Sequence, residues 1–152
     1  MHVEVDQSGK IGDTKVPTVL AFSNSESYAI LIPATVKRDS LRALRQQGKS
    51  GTTLYLEVFA IGLYLLLKDH IRKFSLVTID IEYPGHSDKI KEHLLYLLRR
   101  AEVSIEADQI RFALIYQGGK KPRAHDRAYY TYRGEMAPDR VITLEELLNE
   151  VK

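Results

Sequence analysis

The chain contains no cysteine in its 152 residues. That absence excludes a disulfide framework, a thiolate nucleophile, a zinc ribbon and a cysteine-held iron–sulfur centre. A surplus of one charge is also missing: 22 Lys and Arg stand against 20 Asp and Glu, a formal net charge of +2. No apolar run is long enough for an ordinary membrane span. The opening MHVEVDQSGK has no basic segment followed by an apolar one, so no secretory signal is visible. These absences lead to the expectation of a soluble, cytoplasmic protein with no membrane partner. What is present is ordinary globular usage, 44% hydrophobic and 28% charged, over a length that can bury one substantial core. No repeat, low-complexity tract or linker interrupts it, so residues 1–152 are expected to form a single domain.

Although the totals cancel, the charges are unevenly placed. Lys37, Arg38, Arg42, Arg45 and Lys49 crowd one stretch, and Lys120, Lys121, Arg123 and Arg127 another, while the segment from Glu135 onward is acidic. Local basic stretches on a near-neutral protein attract phosphate backbones. Read without function, they are solvated helix and loop surfaces.

Local pattern divides the chain into strands first and helices later. Residues 2–6 alternate polar and apolar, and residues 18–23 and 28–33 are apolar β-prone runs joined by a polar turn. Together they predict a three-stranded antiparallel meander. Residues 36–47 predict a polar helix closed by Gly48, and residues 52–74 a central core helix carrying Glu57. A strand over 75–81 stops at Tyr83-Pro84-Gly85. An amphipathic helix follows over 88–102, with Ser87 as its N-cap. Residues 109–116 predict a fifth strand, 118–123 a basic loop, and 124–133 a short aromatic helix. Thr143 and Glu146 form a capping box that opens a last helix. This order predicts an α/β fold with a mixed five-stranded sheet, its first three strands antiparallel and its fourth and fifth parallel, and helices on both faces.

Three acids stand out within that order. Asp6 follows Val5 and Asp80 follows Ile79, so alternation puts each carboxylate on the sheet face opposite its apolar neighbours. If the first and fourth strands are neighbours, the two carboxylates meet near the carboxyl ends of the strands, where α/β sheets commonly build ligand sites. Like charges there call for a cation, and oxygen-only ligands suit Mg2+ or Mn2+. Glu57 lies among apolar residues, so it is either ion-paired with a Lys or Arg from another element or turned toward these acids with no basic partner.

On these residues the chain resembles the ribonuclease H-like nuclease superfamily, which includes ribonucleases H, Holliday-junction resolvases and transposase cores. Asp6, within Val5-Asp6-Gln7-Ser8-Gly9, matches the aspartate of the family's first strand. Glu57 matches its helix glutamate, and Asp80, within Thr78-Ile79-Asp80, the aspartate of its fourth strand. Asp126, within Ala124-His125-Asp126-Arg127-Ala128, is the candidate for the late acid; read without the family, it is a helix-start aspartate favoured by the macrodipole. The chain departs from the pattern in its extra helix over 36–47 and in Gln7, where some branches carry a second acid. The resemblance implies a nuclease that hydrolyses phosphodiester bonds with two Mg2+ or Mn2+ ions roughly 4 Å apart, held by Asp6, Glu57, Asp80 and Asp126. His125 would serve as a proton shuttle. Lys120, Lys121, Arg123 and Arg127 would lie along the nucleic-acid backbone. Tyr129, Tyr130 and Tyr132 would either stack on bases or pack. The reading from another class is a non-catalytic nucleic-acid- or protein-binding module on the same fold.

Overall fold

The structure is a computed structural model that describes residues 1–115 and 123–151. Three strands open the chain: β1 (His2–Ser8), β2 (Thr18–Ser23) and β3 (Ser27–Ile32). Two helices follow, α1 (Ala34–Gln46) and α2 (Thr52–Leu67), then β4 (Leu76–Asp80) and α3 (Ser87–Arg100). The remainder is β5 (Ile110–Ala113), α4 (Arg123–Tyr132), β6 (Arg140–Val141) and α5 (Leu144–Leu148).

All six strands form one mixed sheet in the order β5-β4-β1-β2-β3-β6. The antiparallel meander β1-β2-β3 is present, and β4 and β5 run parallel to β1 as the order of elements requires. The expected count of five strands is corrected to six by β6, which pairs parallel with β3 through Ile30–Arg140 and Leu31–Val141. Two residues are too few to show a strand period, so nothing in the sequence announced it. The central helix also ends earlier than expected. Residues 52–74 resolve into α2 and a one-turn 3-10 helix at Ile71–Lys73. Ser87 is the first residue of α3, whose cap position is held by His86.

Alternation along the strands separates two cores. Val3, Val5, Leu20, Phe22, Ile30, Ile32, Val77 and Ile79 join the large core with α2. Thirteen of the sixteen residues of α2 are buried, which is why it is apolar on every side. It lies close to the sheet: a Cβ added at Gly62 would come within 2.7 Å of Leu20 Cδ1. On the opposite face Val19, Ala21, Ala29 and Ala128 form a thin second core, with Leu31 and Tyr132 packed against it. These small side chains let α4 lie close over β1, β2 and β3. No described helix is long and apolar enough to cross a membrane.

The basic stretch of residues 37–49 is not a uniform solvated surface. Lys37 is fully buried, and its Nζ donates to Lys10 O at 2.9 Å, Asp13 O at 2.6 Å and Thr18 Oγ1 at 3.1 Å. Burial pushes its pKa down to about 8. Arg38 donates to Thr14 O at 2.8 Å. These two side chains fasten the loop over residues 9–17, between β1 and β2, to α1.

Candidate metal centre

Parallel pairing aligns Val5 with Ile79, so Asp6 and Asp80 follow side by side at the carboxyl ends of β1 and β4. Because period-2 alternation sends Val5 and Ile79 into the large core, both carboxylates point to the other face. Glu82, two residues beyond Asp80, joins them. One carboxylate oxygen from each of Asp6, Asp80 and Glu82 lies within 4.8 Å of the others. Asp6 is buried, and Asp80 and Glu82 are half-buried. At this position β1 pairs parallel on one side and antiparallel on the other.

Backbone and side-chain donors hold the group in shape. Gln7 N donates to Asp6 Oδ1 at 2.8 Å, and Ile115 N donates to Asp80 Oδ1 at 3.0 Å. His125, brought over β1 by α4, places Nδ1 2.9 Å from Asp6 Oδ2. Burial, the charges of Asp6 and Asp80, and hydrogen bonds to both push the Glu82 carboxyl up to about 8. Burial raises Asp6 as well. The Gln7 N–H draws it back, Asp80 pushes it up, and His125 opposes the rise. A carboxyl that keeps its proton near neutrality is how three crowded acids coexist without a cation.

The other expected residues are placed differently. Glu57 does not face Asp6 and Asp80 without a basic partner: Lys49 Nζ donates to its Oε1 at 2.7 Å. The cavity it borders, about 500 Å3, is lined by Lys49, His86, Lys89 and His93 and by none of the three clustered acids. Asp126 also lies outside the acid group among the described residues, in a surface hollow at the β2–β3 turn beside Arg123 and Arg127. One step along α4 turns its side chain about 100° away from His125.

Of the basic set, Lys120 and Lys121 fall outside the described residues. Arg123 is exposed and donates to Asn24 O at 3.3 Å. Arg127 is corrected to a structural role. It is buried and donates to Ser27 Oγ at 3.2 Å, Ala137 O at 3.2 Å, Asp139 Oδ2 at 2.9 Å and the Thr131 hydroxyl. Asp139 Oδ2 in turn accepts from Ala29 N at 2.8 Å, so the pair ties α4 and the approach to β6 onto β3. Tyr132 packs on the second core and Tyr130 is exposed. Tyr129 lies near-parallel to the His125 ring at 6.3 Å between centroids.

Glu82 is the member of the site that sequence reasoning missed. The signal was the continued alternation Asp80-Ile81-Glu82, which puts both acids on one face; taking Tyr83-Pro84-Gly85 as the end of the element hid it. Compared with protein-family models, curated proteins and solved structures, the chain matches none.

Proposed function

We propose that this protein is a divalent-metal-dependent nuclease of ribonuclease H-like type, hydrolysing phosphodiester bonds of nucleic acid at the Asp6–Asp80–Glu82 group. The observation that carries this reading is the convergence of three carboxylates from β1 and the end of β4 at the carboxyl edge of parallel strands. The donor set fits the metal class. It is all oxygen and compressed, and a proton is retained where a cation would otherwise balance the charge, which suits Mg2+ or Mn2+. Asp6, Asp80 and Glu82 would hold the proposed pair of ions. Such ions supply activation of water and stabilisation of the departing oxygen.

The chain's own residues account for the rest. The Gln7 and Ile115 N–H groups orient Asp6 and Asp80 so that their remaining lone pairs face inward. His125 fixes Asp6 and is near enough to take or return a proton beside it. Glu82 releases its proton as cations enter. Arg123, with Lys120 and Lys121, would meet the phosphate backbone, a role from which Arg127 is withdrawn.

A second reading, the non-catalytic nucleic-acid- or protein-binding module, is favoured by one observation. The Asp6, Asp80 and Glu82 oxygens lie within 4.8 Å of one another and the Glu82 carboxyl is pushed up to about 8, so a retained proton already offsets the crowding. The deciding experiment is a cleavage panel of single- and double-stranded DNA and RNA, hybrid and four-way junction, in Mg2+ or Mn2+, with calorimetry to count ions bound. Cleavage that falls on the order of 10³-fold or more in Asp6→Asn and Asp80→Asn is expected. Nucleic-acid binding without cleavage and without metal uptake would select the module instead.

A further inference from the structure

Glu82 borders a second feature besides the acid group: a cavity of about 320 Å3 whose walls include Gln7, Lys10, Gly12, Tyr55 and Tyr83. Its volume lies in the range of small-molecule sites. Sharing Glu82 with the proposed centre makes it the compartment next to the reacting phosphate.

Its chemistry describes an occupant. Tyr55 and Tyr83 supply aromatic walls, and Tyr83 is braced from behind by Phe59 at 5.2 Å between ring centroids. Gly12 leaves Tyr55 uncrowded: a Cβ there would sit 3.4 Å from Tyr55 Cζ, at the edge of tight contact. Lys10 is set against Asp13 and Glu82, so there is no positive surplus to hold a phosphate. Gln7 Oε1 is buried with no hydrogen-bond partner among the described residues. A buried acceptor without a donor is costly, and a ligand that supplies the donor relieves it. The loop forming one wall does not need to order on binding, because Lys37 and Arg38 already fasten it to α1.

We propose that this cavity receives the nucleobase adjoining the hydrolysed phosphodiester, stacking it against Tyr55 and Tyr83, and that Gln7 selects bases bearing an exocyclic amino group. Rotation of the Gln7 amide, which lines the cavity, would present Oε1 to it, and the amino group of adenine, cytosine or guanine would then donate to that oxygen. Uracil and thymine rank last, since their single ring N–H lies between two carbonyl oxygens that would crowd the same acceptor. The inference rests on the nuclease reading for the position of the base, not for its binding.

The test uses the four nucleoside 5′-monophosphates as probes, titrated into the 152-residue chain by NMR, alongside sequencing of cleavage ends on a random-sequence substrate. AMP, CMP and GMP are expected to bind about tenfold or more tighter than UMP. Gln7→Leu should level that ranking, and Tyr55→Ala should weaken all four by about tenfold or more while Tyr55→Phe retains them. Equal binding of the four, or a ranking unchanged in Gln7→Leu with its fold intact by NMR, overturns the inference. Ranked binding with no cleavage of any substrate keeps the base pocket and removes the nuclease. Metal-dependent cleavage with no base preference and no nucleotide binding does the reverse.

Discussion

Asp6 and Glu57 are both buried carboxylates on the elements that frame the main core, yet they meet opposite company. Glu57 has a cation 2.7 Å away, and Arg127 is likewise answered by Asp139 at 2.9 Å. Asp6 is instead surrounded by Asp80, Glu82 and a histidine. The paired charges fasten segments together: Lys49 to α2, and the chain before β6 to α4. The crowded charges fasten nothing that a neutral group could not. Burial of like charge without a strong cation marks a place where the fold tolerates instability, and such places are candidates for function.

The largest break in this comparison should come from Arg127. Replacing it with Met takes the guanidinium from Asp139, which keeps only the Ala29 N–H, and leaves the Ala137 carbonyl without its Arg127 donor, and chemical denaturation should show a loss of about 3 kcal/mol. Nucleic-acid affinity per folded molecule should not change. A loss of affinity at full stability would return Arg127 to the interface.

Glu57→Gln should cost less, about 2 kcal/mol, because Lys49 is only partly buried and water can solvate part of the charge left behind. That loss should be indifferent to Mg2+. A mutant that gained stability, or whose deficit magnesium altered, would place Glu57 with the proposed metal ligands.

Glu82 should respond with the opposite sign. Its folded pKa lies near 8 and its ordinary value at 4.5. Between those limits the folded state holds a proton that the unfolded state has released. Its contribution is therefore fully present below pH 4.5 and is lost as pH rises through 8. Glu82→Gln should flatten that slope and raise stability at pH 8 by roughly 1 kcal/mol, discounted for partial exposure, with no gain at pH 4.5. Magnesium should raise the wild-type Tm more at pH 8 than at pH 5. A pH-independent Tm that ignores magnesium would reduce the group to an ordinary polar contact.

His125→Ala should have the smallest effect, a few tenths of a kcal/mol in stability, since the ring is one-third exposed. Removing it takes away an interaction that lowers the Asp6 pKa, so half-saturation with magnesium should shift to higher concentration at pH 6. An unchanged magnesium titration would make His125 a packing residue beside Tyr129.

The sheet was readable wherever a strand was long enough to show its period. Val3, Val5 and Asp6 alternate, and so do Val77, Ile79 and Asp80, which located two of the three clustered acids from residue pattern alone. Glu82 escaped because it lies past the last ladder residue, where alternation continues without sheet pairing. Glu57 was readable as a problem but not as a solution: Lys49 lies eight residues away across a turn, a spacing that no helix rule connects. Lys37 was hidden by its charge. Three oxygen acceptors, two of them backbone carbonyls of the 9–17 loop, make a buried ammonium tolerable, and backbone carbonyls leave no trace in residue type.

The parallel pairing of β1 with β4 also has a consequence in time. As the chain is synthesised, Asp6 emerges ahead of its partners in the acid group, and β1, β2 and β3 can form a local meander at once. Asp80 and Glu82 arrive more than seventy residues later, and His125 is 119 positions from Asp6. Closing such distant contacts is slow compared with forming the meander. Assembly of the acid group is thus a late event that reports completion of the sheet. Until then Asp6 is an ordinary solvated carboxylate, and a nascent or partly folded chain holds none of the crowded charge.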